Sequence, residues 1–530
     1  MRHHSLEFNK NTQRRLSWVR LFMSVAILSL VGIGLFKGGQ AVVNYYQAPS
    51  SKAWFAAYVD VTATPTFQFQ QLGSMKQKDA VLSFIVSANQ NPCSPSWGGY
   101  YSISQADNSL NLATRIARLQ QQGGSVAISF GGQKNQELAS DCTDTAALYN
   151  AYQTVISHYH VNTIEFDLEG KNLSNVSADQ RRAQVIAKLQ KTERRSGHKL
   201  SIWLTLPVTP QGLNENATNV VATFLANGVD IAGVNILAMD YGSSLPMGQT
   251  MAAAAENAAI QTEHQLGILY DQANLPQNTT SLWQKIGITP MIGQNDTQNE
   301  IFSIKDAVNL NSFALSYKIG RMSMWSANRD ITCGSNYTDI AVVSDSCSGV
   351  NENNSTFTGL LSNGFNGSIS LSAGLVTKAE SQNSNTQTPD NPATSPYQIW
   401  SPQGAYLEGT KVVWHHNIYE AKWWTQGDVP DDPVLQSWQT PWLLIGPVLP
   451  GEKPIPQPTL PEGTFPNWSG TVSYANGQYV LFNGVPYQAK WWNRGQSPAA
   501  ATSSPDSSPW SPLTQAQVDT IVNQTPGTSN

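Results

Sequence analysis

Residues 50–375 alternate short apolar runs with helical patterns, and this alternation constrains the fold more than any other feature of the sequence. Leu112–Gln122 and Ala178–Arg195 place apolar residues at helical spacing. Eight repeats of strand and helix predict a (β/α)8 (TIM) barrel, an α/β fold with one closed parallel sheet. The predicted strands are Trp54–Val61, Ala80–Ala88, Ser125–Gly131, Asn162–Leu168, Leu200–Pro207, Val229–Met239, Lys285–Ile292 and Arg321–Trp325.

The fourth predicted strand carries three acidic residues at alternate positions, Glu165, Asp167 and Glu169. Because the side chains of a strand alternate between its two faces, all three project from one surface. Grouped carboxylates raise the pKa of at least one member, and such groups are concentrated where acid–base chemistry occurs. A solvated strand face or a cation site is the alternative interpretation.

Polar and aromatic residues follow several other predicted strands at their carboxyl ends. In a (β/α)8 barrel these ends meet at one rim, where the active site lies. We therefore expect these segments to converge with Glu169. They are Ser129-Phe130-Gly131-Gly132, Met239-Asp240-Tyr241-Gly242, Gln294-Asn295-Asp296 and Met324-Trp325.

The charge pattern excludes one class of partner. The formal net charge is -5 and charged residues make up 13% of the chain, so the basic surface that nucleic-acid binding requires is missing. A surface rich in Asn, Gln, Ser and Thr suits an extracellular protein with an uncharged ligand, and we expect a monomer.

The N-terminus has the pattern of an export signal. Arg14, Arg15 and Arg20 precede the apolar run Leu21–Phe36, which matches the charged and apolar regions of a signal peptide. The run is shorter than the roughly 20 residues of a membrane-spanning helix. We predict that residues 1–41 are a removed signal peptide; an uncleaved membrane anchor, with the folded domains outside, is the alternative.

Four cysteines agree with export, because an even number in an oxidising compartment usually forms disulfides. Cys333 and Cys347 lie close together in a polar loop, which favours the pairs Cys333–Cys347 and Cys93–Cys142 among the three possible pairings. A metal site would require closer ligand spacing than these cysteines show. We predict neither a metal nor a cofactor.

The C-terminal third contains a repeat with a constant shift of 68 residues, in which Trp400 corresponds to Trp468. The segment Ala421-Lys422-Trp423-Trp424 recurs as Ala489-Lys490-Trp491-Trp492. Between the barrel and this repeat, the sequence is polar and predicts a flexible linker. The predicted segments are a linker at 376–396, all-β modules at 397–445 and 466–512, a Pro-rich linker at 446–465 and a tail at 513–530.

The predicted barrel resembles the catalytic domain of glycoside hydrolase family 18 chitinases. The family's fourth-strand motif Asp-x-x-Asp-x-Asp-x-Glu corresponds to residues 162–169, and Ser129-Phe130-Gly131-Gly132 resembles its third-strand motif. Met239-Asp240-Tyr241 and Trp325 resemble its substrate clamp and aromatic floor. The chain departs from the family at Asn162 and Glu165, where the family has aspartates.

The resemblance implies the roles of the candidate site residues. Glu169 would be the general acid and later the base, Asp167 would orient the substrate's acetamido group, and Tyr241 would donate a hydrogen bond to its oxygen. That oxygen would act as the nucleophile, which makes the reaction retaining and substrate-assisted. The residues expected to contact substrate are Ser129, Gly131, Glu165, Asp240, Gln294, Asn295 and Trp325.

The repeated modules resemble carbohydrate-binding modules of families 5 and 12, which bind chitin. Exposed aromatic rings in such modules stack on sugar rings, and two linked modules increase residence on an insoluble polymer. Simple burial in a small β core is the alternative interpretation for each ring. The predicted binding residues are Tyr406, Trp423, Trp424, Tyr474, Trp491 and Trp492.

The resemblance as a whole implies a secreted chitinase that cleaves β-1,4-linked N-acetylglucosamine polymers. One alternative is an endo-β-N-acetylglucosaminidase acting on glycoprotein or cell-wall glycans. A second alternative is a non-catalytic chitin-binding lectin or adhesin, against which the presence of both Asp167 and Glu169 argues.

Overall fold

The computed structural model describes most of the chain that follows Lys52. The predicted signal peptide or anchor, residues 1–41, and most of the predicted linker at 376–396 lie outside the described residues. Within the described part, every helix is too short or too polar to cross a bilayer. The described residues are 53–74, 77–335, 342–369, 390–391, 395–402, 404–432, 439–449, 451–452, 459–501, 508–513 and 515–524.

A closed parallel sheet forms the centre of the first domain. Strand pairing follows chain order and returns from the eighth strand to the first, where Phe55 is in register with Met322. The predicted (β/α)8 barrel is therefore confirmed. Its strands are β1 (Trp54–Phe55 and Ala57–Asp60), β2 (Ala80–Ala88), β3 (Val126–Gly131), β4 (Thr163–Asp167), β5 (Ser201–Thr209), β6 (Ile231–Ala238), β7 (Ile286–Pro290) and β8 (Arg321–Met322).

Alternation along the strands separates two sets of buried side chains. In β1, Phe55 and Val59 face the core between the sheet and the helices, whereas Trp54 and Tyr58 face the barrel interior together with Trp203 of β5. The interior is filled with side chains and is not a pore. It is also the surface from which the acidic residues of β4 project.

Most of the described helices surround the barrel sheet, and most begin at polar capping residues. The side chain of Asn175 accepts a hydrogen bond from the backbone of Ala178 at the start of one helix, which satisfies a free N–H group there. Both helices predicted from the sequence form. The helices are α1 (Ile103–Leu110), α2 (Leu112–Gln121), α3 (Leu138–Asp141), α4 (Thr145–His158), α5 (Gly170–Leu173), α6 (Val176–Arg195), α7 (Glu215–Ala226), α8 (Met251–Gln272), α9 (Thr279–Gln284), α10 (Ile304–Tyr317), α11 (Phe357–Leu361) and α12 (Gln515–Gln524).

Both predicted disulfides form. Cys93 lies on Asn91–Trp97, a strand that pairs antiparallel with β2, and it is bonded to Cys142 at the end of α3. Cys333 is bonded to Cys347, 14 residues further along the chain. The first disulfide fixes an insertion that follows β2, and the second closes a loop that follows β8.

The two repeats fold alike, each as a three-stranded antiparallel sheet beside a two-stranded pair. The second repeat reproduces each strand of the first at a shift close to 68 residues. The first has Ala405–Tyr406, Lys411–Trp414, Asn417–Ala421, Thr425–Gln426 and Trp442–Pro447; the second has Ser473–Tyr474, Tyr479–Phe482, Val485–Ala489, Asn493–Arg494 and Trp510–Pro512.

Candidate functional site

The three acidic residues of the fourth strand lie at different depths. Glu165 is fully buried inside the barrel and Asp167 is 2% exposed at the end of β4. Glu169 follows the strand, is partly exposed, and forms the N-cap position of α5. The side chains of Asp167 and Glu169 are hydrogen-bonded to each other. The strand therefore presents one carboxyl pair at the rim and a third carboxylate beneath it.

The environment of the pair favours the protonated forms. The pKa of Glu169 is raised from 4.5 to about 7, first by burial and also by the nearby carboxylates of Asp240 and Asp296. Burial is also the main cause that raises the pKa of Asp167 well above its ordinary range, followed by the negative charges of Glu169 and Glu165. A carboxyl group that retains its proton near neutral pH is suited to general acid catalysis.

Glu165 forms a buried ion pair with Arg321 of β8. The distance from Arg321 Nη1 to Glu165 Oε2 is 2.5 Å, and both side chains are completely buried. The same guanidinium donates to Ser323 and to the hydroxyl of Tyr58. The predicted contact between Glu165 and substrate is therefore corrected: this longer carboxylate reaches an internal cation and lies in the floor below Asp167.

Several buried polar atoms around this floor have no hydrogen-bond partner among the residues that the structure describes. Buried polar groups are normally paired, so a group of unpaired ones in one place marks a candidate ligand site. Two of them, on Asp167 and Tyr241, belong to the predicted catalytic residues. The unpaired atoms are Ser129 Oγ, Glu165 Oε1, Asp167 Oδ1 and the Tyr241 hydroxyl. Ser129 is in register with Glu165, so it contributes to the floor.

Tyr241 is held through its backbone while its hydroxyl stays unpaired. Its amide donates to Glu300 Oε2 over 2.9 Å, and the amide of Gly242 donates to Glu300 Oε1. Burial, and then the charge of Glu300, raise the pKa of the Tyr241 hydroxyl. The hydroxyl therefore remains a hydrogen-bond donor at neutral pH.

Asp240, Gln294 and Asn295 lie in loops that follow β6 and β7. Asp240 has a left-handed backbone with φ 49° and accepts a hydrogen bond from the amide of Thr297. Asn295 is 1% exposed, and its side-chain nitrogen donates to the carbonyls of Met291 and Gly293. The predicted sugar contact of Asn295 is corrected, because its amide fixes the loop. Gln294 is partly exposed and stays a predicted substrate contact.

Trp325 lies just beyond β8 and stacks on Phe84, with ring centroids 5.5 Å apart and planes inclined by 22°. Tyr58 contacts the edge of this pair. The peptide bonds from Ser83 to Phe84 and from Trp325 to Ser326 are both cis. Trp325 is partly exposed, so one surface of this aromatic group is available at the rim where it was expected.

Gly131 is required for close approach of two strands. It has φ +110°, and a Cβ atom there would lie 2.1 Å from the carbonyl oxygen of Asp167. A side chain at this position would displace the backbone that carries Asp167. Gly131 therefore has a steric role, and its predicted contact with substrate stays a prediction.

The modules expose pairs of adjacent tryptophans. Trp424 and Trp492 are 54% and 65% exposed, and Trp423 and Trp491 are also exposed. In each module the preceding lysine places its ammonium over the first ring of the pair, at 4.7 Å. Flat, exposed and partly immobilised rings are suited to stacking on sugars.

Tyr406 and Tyr474 are buried, and their predicted role in binding is wrong. They are 2% and 5% exposed, and each packs against the edge of a core tryptophan. The Tyr406 hydroxyl accepts a hydrogen bond from the amide of Ser401. These rings are core residues because a module this small needs large side chains to exclude water.

Sequence reasoning missed Arg321, Tyr58, Phe84 and Glu300. Arg321 and Tyr58 lie on predicted strands at inward positions, so a search for the cation that neutralises buried acids would have identified Arg321. Phe84 gave no local signal, because one aromatic residue in an apolar strand is usually core. Glu300 follows a loop whose path the sequence does not specify.

Comparison with known proteins identifies a family for the second repeat. Residues 467–511 match the model of carbohydrate-binding module family 5/12. The second module resembles a known sugar-binding family. The first module shares its repeat and its strand topology. The resemblance stated from the sequence is confirmed for this part of the chain.

The chain is similar over about 300 residues to curated chitinases. Identity is 31% over 298 residues to a probable bifunctional chitinase/lysozyme of Escherichia coli (strain K12), covering 54% of this chain and 32% of that protein. It is 30% over 302 residues to Endochitinase 11 of Metarhizium anisopliae, covering 54% and 56%. The chain thus spans about a third and about half of these relatives.

A solved structure, the catalytic domain of a hyperthermophilic chitinase from Pyrococcus furiosus, is 24% identical. The alignment covers 59% of this chain and 95% of that chain, with a TM-score of 0.49.

Proposed function

We propose that the chain is a chitinase that hydrolyses β-1,4 linkages between N-acetylglucosamine units. The observation that carries this proposal is the Asp167–Glu169 carboxyl pair at the rim of the barrel, in which the pKa of Glu169 is raised to about 7. The similarity of the chain to curated chitinases supports the substrate class.

Glu169 is proposed to protonate the glycosidic oxygen as the bond to the leaving sugar breaks. A carboxyl group with a pKa near the working pH transfers its proton readily and recovers it readily. The resulting carboxylate then removes a proton from the attacking water. Asp167 lies one step deeper and hydrogen-bonds to Glu169, so it supports Glu169 in both protonation states.

The substrate's acetamido oxygen is proposed as the nucleophile, as the family resemblance implies. The unpaired hydroxyl of Tyr241 and the unpaired Oδ1 atom of Asp167 are the two groups suited to the acetamido carbonyl and N–H. Holding that group against the anomeric carbon replaces a bimolecular attack by an intramolecular one. The configuration at that carbon would be retained.

The two modules are proposed to bind the insoluble polymer through their exposed tryptophan pairs. The match of residues 467–511 to a carbohydrate-binding family supports this role. Linked weak sites increase the local concentration of the barrel on the surface.

Export of the chain is also proposed. The basic and apolar N-terminal pattern supports it, and the two disulfides agree with an oxidising compartment. Comparison of N-terminal sequences from culture medium and membrane fractions would separate a removed signal peptide from an uncleaved anchor.

The activity is tested by release of soluble oligosaccharides from colloidal chitin. We expect the wild type to release sugar and Glu169→Gln to release at least about 100-fold less, with equal binding to the polymer. If the wild type binds chitin without releasing sugar, a lectin is the better description. If it cleaves glycoprotein or cell-wall glycans and leaves chitin intact, the substrate class is wrong.

A further inference from the structure

One outer helix of the barrel is covered on the side that faces away from the barrel. In α2, Leu112, Ile116 and Leu119 face the barrel core. Thr114 lies on the opposite side of the helix, because two residues correspond to a rotation of about 200°, yet it is only 4% exposed. An outward position is buried only when another part of the protein lies on it.

The first module lies on this helix through its third long strand, Trp442–Pro447. A Cβ atom on Gly446 would lie 2.6 Å from the carbonyl oxygen of Thr114 and 3.1 Å from Cβ of Arg118. The strand therefore approaches the helix backbone at a distance that only glycine permits.

Polar groups are also matched across this contact. The ammonium of Lys411 donates to Asn111 Oδ1 over 2.8 Å, and Asn111 lies at the junction of α1 and α2 with a left-handed backbone. Glu420 is paired in register with Lys411 and interacts with the positive charges of both Lys411 and Arg115. A carboxylate of the module thus lies between a cation of its own and a cation of the barrel.

The second module lacks each of these groups. At the shift of 68 residues, Lys411 corresponds to Tyr479, Glu420 to Gln488 and Gly446 to Thr514. Tyr479 is 39% exposed, and Gln488 hydrogen-bonds to its hydroxyl. Two modules with the same fold thus differ at the three positions that form the contact with the barrel.

The equivalent sheet face of the second module is covered from within the module. Leu481 and Leu513 pack with Val518 of α12 and with Leu460. In the first module the positions equivalent to Leu481 and Leu513 are Val413 and Ile445. They form a cluster with Ile418, and none of the described residues in this cluster belongs to a helix. In the second module α12 and Leu460 therefore cover the sheet face that, in the first module, is directed towards the barrel.

We propose that the first module is stably docked on α2 of the barrel through Lys411, Glu420 and Gly446, whereas the second module, which has other residues at these three positions, does not dock there. The occupant of this surface is the chain's own catalytic domain. The proposal is independent of the activity proposed above, because it concerns an intramolecular interface. It implies that the tryptophan pair of the first module keeps a fixed position relative to the barrel.

The test uses the full chain with a specific protease site placed within residues 381–389 of the predicted linker. After cleavage under native conditions, the wild-type fragments should elute together in gel filtration, because the docking contact remains. Gly446→Thr introduces the residue found at this position in the second module, and its fragments should separate. In a dilution series, the protein concentration at which half of the fragments are dissociated should be at least tenfold higher than for the wild type.

The matched control is Gly470→Thr in the second module, where the nearest atom to a Cβ is 3.5 Å away; its fragments should elute together. Lys411→Glu should release the fragments and Tyr479→Glu should not. Near-UV circular dichroism establishes that each variant module is folded. The proposal would be overturned if the wild-type fragments separated after cleavage. It would also be overturned if the fragments of folded Gly446→Thr and Lys411→Glu proteins still eluted together.

Discussion

The carboxylates of β4 and the tryptophan pairs of the modules are the main candidate functional groups of their domains, and they are presented in opposite ways. Glu165 and Asp167 are buried, and their charges are balanced by protein groups or removed by protonation. Trp424 and Trp492 expose more than half of their surface. Acid catalysis requires desolvation, whereas adsorption requires accessible flat rings. Substitutions of the buried charges in the barrel should therefore change stability, and substitutions of the exposed tryptophans in the modules should change adsorption alone.

The largest effect is expected for Arg321→Met, which leaves Glu165 buried without its cation. Breaking a buried ion pair from one side costs about 3–5 kcal/mol, so chemical denaturation should show a loss of that order. In Glu165→Leu/Arg321→Met both charges are gone, and most of the stability should return. A single variant as stable as the wild type would show that the pair does not support the barrel floor.

Glu169→Gln should alter the pH dependence of stability. The folded pKa of Glu169, about 7, lies above its ordinary value of 4.5, so the folded state retains a proton that the unfolded chain releases. Wild-type stability should therefore fall as pH rises from about 4.5 to about 7. At 1.36 kcal/mol for each pKa unit, the variant should be more stable by roughly 3 kcal/mol at pH 8 and equally stable at pH 4.

The measurement is a series of denaturation curves for both proteins between pH 4 and pH 8. Parallel stability curves across that range would contradict the raised pKa of Glu169. The same pKa predicts that the wild-type kcat declines as pH rises above about 7, because Glu169 then loses the proton that it donates.

Tyr241→Phe should separate catalysis from stability. Loss of the positioning hydroxyl should lower kcat on soluble chito-oligosaccharides by about 100-fold. Stability should be unchanged or higher, because the hydroxyl is buried without a partner. The matched control is Tyr152→Phe, in which Glu137 loses a 2.5 Å hydrogen bond. That control should lose stability with a smaller change in kcat, and the reverse pattern would refute the assignment.

The smallest effects are expected in the modules. Trp424→Ala and Trp492→Ala should each weaken binding to crystalline chitin roughly tenfold, about 1.4 kcal/mol, without changing activity on soluble oligomers. Tyr406→Phe should bind like the wild type and lose about 1 kcal/mol of stability, because its hydroxyl binds the backbone of Ser401. Weaker chitin binding by a folded Tyr406→Phe protein would restore a surface role for that tyrosine.

The sequence predicted the barrel because its signals are local and repeated. The acids of β4 alternate with Ile164 and Phe166, which are fully buried in the outer core. The strand Ala80–Ala88 begins and ends where the apolar run does. The chemistry of Glu169 follows from the same alternation, since position along a barrel strand determines depth.

The remaining features depend on contacts between residues far apart in the chain. Glu165 and Arg321 are separated by 156 residues, so neither residue alone indicates the ion pair. Asn295 has a side chain of the type that binds sugars. Only the path of the loop shows that its amide instead donates hydrogen bonds to the carbonyls of Met291 and Gly293. Tyr406 was misassigned because aromatic content does not distinguish a binding face from the core of a small domain.

The helix α12 makes the second module portable. Leu460, Leu481, Leu513 and Val518 enclose a small core of their own, so residues 459–524 hold every element that this core needs among those the structure describes. This module could be fused to an unrelated protein without exposing the apolar sheet face that α12 covers. The first module could not be moved in this way without α2, since Lys411 would lose Asn111 and Glu420 would lose Arg115. Gene fusion can therefore transfer the second module without loss of its packing contacts, whereas substitutions in the docking residues of the first module must be matched by substitutions in α2.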